Sequence, residues 1–422
     1  MILIKNTRIL TPGGLVKGDL LIDGNKITSI DGSKDKSDIV IEGEGKAVIP
    51  GLFNTHTHAA MTLFRSFADD MMLHEWLETK IWPLEAKLDE KAVYWGTKLA
   101  CIEMLKSGTV FFNDMYFFPP AIAKAAEECG IRACISAAFF DFFNPDLLEE
   151  NIKKAVIDLK ELEKYNVLRA IGPHAVYTVS LDGLRRAAEI AEEMDIFIHF
   201  HLAETEREVL DFKKQHGKPI VKVLDEIGFL SRRLMAAHSV WLERGEIELL
   251  AKYGVSVAHC PASNMKLCVG KAINYAEMRK AGVNFTVGTD GAASNNNLDM
   301  LEEMKFAALL QKFYSDNPTL MKAEEVFDAA TINAARAFGL KSGAIAEGYL
   351  ADLVIIDLTQ PYMQPSHNLV ADLVYSASSG CVDTVIVDGK IVVENGTFRS
   401  EREEEKIIEK ASKVARELTD SA

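Results

Sequence analysis

Short apolar runs broken by polar turns open the chain. Residues 3–10, 19–22 and 26–30 read as strands, separated by Gly13-Gly14 and Asp23-Gly24-Asn25, which favour tight reversals. The same texture returns at residues 352–357, 384–387 and 391–393, with Asp388-Gly389 as a hairpin turn. Between these ends the pattern changes. Apolar runs of strand length alternate with stretches apolar at every third or fourth position, as at residues 90–106, 147–164, 181–194 and 217–226. Such alternation predicts β-α-β units on a parallel sheet. Eight strand candidates end near residues 54–58, 113–114, 139–141, 172–174, 199–204, 238, 259 and 289–290. Eight units over roughly 290 residues predict a closed (β/α)8 barrel of the TIM type. A doubly wound open sheet is the alternative, but no G-x-G-x-x-G opens a helix here. The expected α/β architecture is therefore a barrel over residues 50–345 with a small β-sandwich domain built from residues 1–49 and 346–400. A charged amphipathic helix over 401–422 follows, with Ile407, Ile408, Val414 and Leu418 on its apolar side.

Composition narrows the possible partners. With 48% hydrophobic residues in 422, the chain can build a large core and is not of the disordered class. A net charge of −15 argues against a sequence-independent grip on nucleic acid, which needs clustered Lys and Arg. No run of 18 apolar residues reads as a membrane span. Cys101, Cys129, Cys134, Cys260, Cys268 and Cys381 are scattered with no C-x-x-C pair, which predicts reduced thiols and a cytoplasmic location. The apolar start is too brief for a signal peptide.

The candidate chemistry lies at the predicted strand ends. Seven of the ten histidines fall there: His56, His58, His174, His199, His201, His238 and His259. Barrel enzymes carry their reactive side chains at the C-terminal ends of strands, so these residues are expected on one rim. In His56-Thr57-His58, residues i and i+2 of a strand face one side, and two imidazoles so placed make half of a divalent metal site. His201, next to Glu204, is the expected third ligand; His199, one pleat deeper, reads as a second-layer or core residue. Asp290 is the expected oxygen ligand, with a helix cap as its plainer reading. Three imidazoles and a carboxylate with one open position suit a single catalytic Zn²⁺, and Fe, Mn, Ni or Co tolerate the same donors. Such an ion brings the pKa of its water to about 7. Asp290 is then expected to accept the water proton, His238 to hold the attacking hydroxide, and Glu204 to hand a proton to the substrate. The fourth strand end reads Gly172-Pro173-His174, with no lysine to bridge a second ion.

The segments from Pro50-Gly51 through His56-Thr57-His58, His201-Leu202-Ala203-Glu204-Thr205, Ala237-His238, Pro261-Ala262-Ser263-Asn264 and Gly288-Thr289-Asp290-Gly291 resemble the amidohydrolase superfamily. His74-Glu75-Trp76-Leu77, Pro83-Leu84-Glu85 and Gly172-Pro173-His174 resemble its 5′-methylthioadenosine, S-adenosylhomocysteine and 5′-deoxyadenosine deaminases, over nearly the whole chain. The resemblance implies metal ligands at His56, His58, His201 and Asp290, with Glu85 accepting both ribose hydroxyls. It implies that His174 contacts the nucleoside and that Trp76 walls the 5′ side. The implied reaction is hydrolysis of 5′-substituted adenosines, or adenosine itself, to the inosine analogue and ammonia. A homo-oligomer, dimer or tetramer, is implied as well. Members that prefer S-adenosylhomocysteine resemble one another in holding its carboxylate with arginines after the third strand. Residues 136–146 have none, so small apolar 5′ groups are expected to be preferred. A mononuclear-metal hydrolase of guanine, cytosine or a chlorotriazine is the alternative, and a non-catalytic scaffold on the same fold a further one.

Overall fold

The computed structural model describes residues 1–31 and 37–420; residues 32–36, within the expected β domain, and 421–422, at the end of the expected C-terminal helix, lie outside the described residues. Five strands open the chain: β1 (Ile2–Thr11), β2 (Gly14–Asp23), β3 (Lys26–Ile30), β4 (Ile39–Glu42) and β5 (Lys46–Pro50). Eight more follow at helical intervals: β6 (Leu52–Thr57), β7 (Thr109–Tyr116), β8 (Arg132–Phe139), β9 (Leu168–Pro173), β10 (Phe197–Leu202), β11 (Leu234–His238), β12 (Ser256–His259) and β13 (Asn284–Val287). Four close the set: β14 (Leu353–Asp357), β15 (Val382–Val387), β16 (Lys390–Glu394) and β17 (Thr397–Phe398).

The two chain ends form one nine-stranded mixed sheet in the order β17-β16-β15-β14-β5-β1-β2-β3, with β4 beside β1. They join at β5, which is parallel to β1 and antiparallel to β14. Ile4, Ile9, Leu20, Ile22, Val48, Leu353 and Ile355 are buried in a core of this sheet's own. Asp388 and Gly389 both take left-handed φ, 52° and 71°, as a primed hairpin turn requires. β2 starts at Gly14, earlier than residue 19, because residues 14–18 pair with β1 while residues 14–17 stay exposed. A strand stretch with no buried face leaves no apolar alternation to read.

Strands β6 to β13 run in chain order and pair in parallel around the barrel. Most of their residues are buried, as parallel strands covered by helices must be. The seam between β13 and β6 is closed by individual bonds. The Thr55 hydroxyl donates to the Val287 carbonyl (2.9 Å), the Asp290 N–H to the His56 carbonyl (2.9 Å), and the Thr289 N–H to Asn54 Oδ1 (3.0 Å). Gly288 allows this approach, because a Cβ there would lie 2.6 Å from the His56 nitrogen.

The C-terminal helix Glu401–Thr419 lies against the helix Glu90–Lys106, with Lys106 Nζ 2.9 Å from Glu404. It buries Ile407, Ala411, Val414 and Leu418. Ile408, expected on the apolar side, is 47% exposed. It sits about 100° around the helix from Ile407, and Ala411 fills the buried stripe instead.

Candidate metal centre and active-site cavity

The strand ends bring four donors together. His58 donates through Nδ1 to the Met115 carbonyl (2.6 Å), and His201 through Nδ1 to the His174 carbonyl (2.8 Å). A carbonyl only accepts, so each ring must carry its hydrogen on Nδ1 and present Nε2 as a lone pair. Those two Nε2 atoms face each other at 3.3 Å. His56 turns Nδ1 to His199 Nε2 (2.7 Å), and its own buried Nε2 has no hydrogen-bond partner. Asp290 completes the set, with Oδ1 3.3 Å from His56 Nε2 and 3.2 Å from His58 Nε2.

Lone pairs crowded in this way need a cation among them. Burial opposes a charge on the His58 ring, but the hydrogen bond and negative charge of Asp290 outweigh it and raise its pKa to about 9. Burial pulls His56 down to about 4 and holds His201 well below its usual value, so both stay neutral and able to coordinate. Burial would raise Asp290, but the His56 and His58 rings beside its carboxylate keep it well below the usual carboxylate range. His56, His58 and Asp290 form one close donor group, and His56, His201 and His238 an overlapping one. The residues of these two groups fit a divalent metal ion.

The supporting contacts were not expected from the sequence. Asp290 Oδ2 accepts hydroxyls from Ser263 (2.6 Å) and Ser294 (3.1 Å), which leaves Oδ1 for the centre. His199 backs His56 and is itself bonded to Ser136 Oγ at 3.1 Å, one layer below the rim. His238 Nδ1 lies 2.9 Å from Asn264 Oδ1 and 3.8 Å from Glu204 Oε1. Ser294 is one helical turn beyond Asp290, and Ser263 and Asn264 lie on the short helix Pro261–Lys266 that follows β12. The resemblance marks the segment Pro261-Ala262-Ser263-Asn264, but no pattern in the sequence shows which of its side chains reach Asp290 or His238.

Above the centre opens a cavity lined by Trp76, Glu85, Tyr116, His174 and Glu204. Of the nine expected site residues, only His56 does not line it; that ring is wholly buried beneath. Glu204 stands beside His238, its backbone N–H bonded to Glu208 (2.8 Å), and burial raises its pKa. His174 bonds Thr178 through Nδ1 (2.8 Å), and burial lowers it to about 3. Trp76 and Glu85 arrive on short helices, Leu73–Trp76 and Trp82–Glu85, between β6 and β7. Burial lifts Glu85 to about 7, against the pull of Tyr116 and of a charged His58. His259 departs from the expected rim. It is fully buried against Phe285, outside the cavity, and burial pulls it down to about 3.

Residues 47–392 match the amidohydrolase family. The chain belongs to that family. This amidohydrolase is 79% identical, over the full length of both chains, to an Archaeoglobus fulgidus protein named 5-methylthioadenosine/S-adenosylhomocysteine deaminase 1. It is 45% identical to the 5′-deoxyadenosine deaminase of Methanocaldococcus jannaschii, over 98% of this chain and 99% of that one. Among solved structures it is similar to an adenosine deaminase from Xanthomonas campestris with bound zinc, with a TM-score of 0.94 and 33% identity over 99% of this chain and 98% of the other.

Proposed function

We propose that this amidohydrolase hydrolyses 5′-substituted adenosines to the inosine analogue and ammonia, using one zinc ion held by His56, His58, His201 and Asp290. The observation that carries the reading is the buried Glu204 carboxyl placed with His238 beside converging bare nitrogens in a cavity that also holds Glu85. The names of its relatives support the substrate class.

When bound, the ion supplies a Lewis acid that makes a water nucleophilic near neutral pH. Asp290, its carboxylate fixed through Oδ2 by two serine hydroxyls, takes the proton from the attacking water. His238, with Nδ1 on Asn264, turns Nε2 to the cavity as a hydrogen-bond acceptor that orients that water. Glu204, whose burial favours its protonated form, passes a proton to the ring nitrogen next to the carbon that loses its amine. Glu85 binds the ribose diol, one hydroxyl on each oxygen, beside Tyr116. His174 contacts the nucleoside, and Trp76 closes the 5′ side. Among the described residues lining the cavity there is no Lys or Arg, whereas Glu85, Glu204 and Asp290 are all acidic. That balance favours neutral methylthio or deoxy groups over the carboxylate of the homocysteine tail.

Six free cysteines, five of them buried, are consistent with a cytoplasmic location, and no helix among the described residues is long and apolar enough to cross a membrane. Leu309, Phe313 and Tyr314, exposed on the helix Met300–Tyr314, offer an apolar face for a homo-oligomer of two or four copies.

Ammonia release and the adenine-to-hypoxanthine absorbance change test the reading on zinc-loaded protein. The panel is 5′-deoxyadenosine, 5′-methylthioadenosine, S-adenosylhomocysteine, adenosine, adenine, guanine, cytosine and a chlorotriazine. Turnover of the 5′-substituted adenosines is expected. Turnover of a free base or the triazine alone would overturn the substrate assignment, and S-adenosylhomocysteine giving the highest kcat/KM would overturn the selectivity.

A further inference from the structure

Beyond the end of β10 the chain turns into the helix Glu206–His216, and Thr205-Glu206-Arg207-Glu208 opens it as a capping box. The Thr205 hydroxyl accepts the Glu208 N–H at 3.2 Å, as that motif requires. The carboxylate of Glu208 reaches further back than the cap. Its Oε1 accepts the Ala203 N–H (3.0 Å) and its Oε2 the Glu204 N–H (2.8 Å). Both oxygens of one side chain are therefore spent on the two peptides that carry the chain out of the strand and into Glu204.

Helix capping alone does not account for this carboxylate. Glu208 is 4% exposed, and among the described residues no Lys, Arg or His forms an ion pair with it. Burial, and then the charge of nearby Glu204, push its pKa up to about 7, a sign of how poorly the place suits a carboxylate. An uncompensated acid under a helix costs stability that an apolar side chain would not. The backbone it holds is itself under strain, because Ala203 takes a left-handed φ of 49°. From the other side the Ala203 carbonyl accepts the Trp241 N–H (2.8 Å) and the Val240 N–H (3.1 Å). The peptide before Glu204 is thus clamped between the β11 loop and Glu208. Glu204 lines the cavity and Glu208 does not, so any effect of Glu208 on the reaction must pass through its neighbour.

We infer that Glu208 is a positioning residue for proton transfer, its carboxylate fixing the two N–H groups that aim Glu204 at the substrate. The inference rests on the proton-transfer reading of Glu204. A proton donor must stand within hydrogen-bond reach of the atom it serves, so a slack peptide beneath it lowers kcat before it affects binding. Glutamine at 208 has one oxygen for two N–H donors, and its amide nitrogen cannot accept the second.

The test is a double-mutant cycle on zinc-loaded protein with 5′-deoxyadenosine: wild type, Glu208→Gln, Glu204→Gln and the pair together, with kcat, KM and zinc content measured on each. Glu208→Gln should retain its zinc, lose about ten- to a hundredfold in kcat and keep KM within about twofold. In the Glu204→Gln background the same change should cost less than about twofold, because no proton donor remains to be placed. Equal losses in both backgrounds, a loss confined to KM, or wild-type kcat in Glu208→Gln would overturn the inference while leaving the deaminase reading intact. Should Glu208→Gln fail to fold, Glu208→Asp carries the same cycle with the same outcomes, since it keeps the charge but is too short to span both N–H groups. Wild-type turnover in Glu204→Gln would instead remove the proton-transfer reading, and the role of Glu208 with it.

Discussion

Gly288 sits where β13 passes closest to β6, and its hydrogen is what permits the approach. An ideal Cβ there would stand 2.6 Å from the His56 nitrogen and 2.9 Å from both the His56 Cβ and carbonyl oxygen. All three atoms belong to the backbone or Cβ of His56, so no flexible side chain can yield. In Gly288→Ala, His56 must move by about 0.8 Å to reach the roughly 3.4 Å where ordinary contact begins. Overpacking of this kind costs about 1–3 kcal/mol. The larger effect falls on the site, because a displacement of this size in a positioned group costs on the order of 10²-fold in rate. Gly288→Ala should therefore fold with a lowered melting temperature, release its metal to a competing chelator at least about tenfold more readily, and turn over about a hundredfold more slowly. Gly245→Ala is the control, since nothing lies within 4 Å of a Cβ built there. The measurements are metal content after dialysis against graded chelator, with kcat on the metal-loaded protein. Unchanged metal retention and kcat in Gly288→Ala would refute the claim that the seam positions His56.

Three further outcomes follow from the site. Glu204→Gln should retain the metal, read by elemental analysis, and lose about 10²–10⁴-fold in kcat, because the amide cannot pass a proton; wild-type turnover would sink the proton-transfer role. Ser263→Ala with Ser294→Ala leaves Asp290 Oδ2 without its two hydroxyl partners, so metal affinity should fall about 10–100-fold with the fold intact. Unaltered chelator resistance in the double variant would show that the serines do not orient the carboxylate. Glu85→Ala should raise KM for nucleosides by about tenfold or more, the loss of charge-assisted bonds, with a smaller change in kcat. A pure kcat effect would place Glu85 outside ribose binding.

The parts of this molecule that a sequence reveals are those with a period. Buried parallel strands between amphipathic helices announce the barrel, and the i, i+2 spacing of His56 and His58 places both rings on one face. Asp290 is legible because it ends the last apolar run. Trp76 and Glu85 are different. They ride on four-residue helices joined by the π-helical stretch Leu77–Ile81, whose wider turn breaks the 3.6-residue repeat, so only resemblance marks them. Ser263, Ser294 and Asn264 act through contacts 26–31 residues apart or across one turn, and nothing in their local pattern separates them from ordinary caps. His259 misleads for the complementary reason: a strand end specifies height in the barrel, while the direction of the side chain depends on where the strand stops.

The turns that carry the chemistry have one backbone property that no periodic pattern could reveal. Ala203, His238, Ser239 and Asp290, at the ends of β10, β11 and β13, all take left-handed φ between 49° and 64°. Each costs about 1–2 kcal/mol relative to an ordinary conformation, and glycine would avoid that cost. Glycine, however, would remove the side chains of His238 and Asp290. At Ala203 it would loosen the peptide whose N–H, with that of Glu204, is tied to Glu208 at 3.0 and 2.8 Å. The fold sustains these conformations through bonds between strand ends, such as Ser239 N–H to the Leu202 carbonyl and Trp241 N–H to the Ala203 carbonyl, both 2.8 Å. Leaving the strand through a left-handed residue breaks the alternation of inward and outward faces. Glu204, His238 and Asp290, from three different strand ends, thereby reach the same cavity. The stability of the closed barrel offsets the local strain, and the outcome is a set of groups fixed before any substrate arrives.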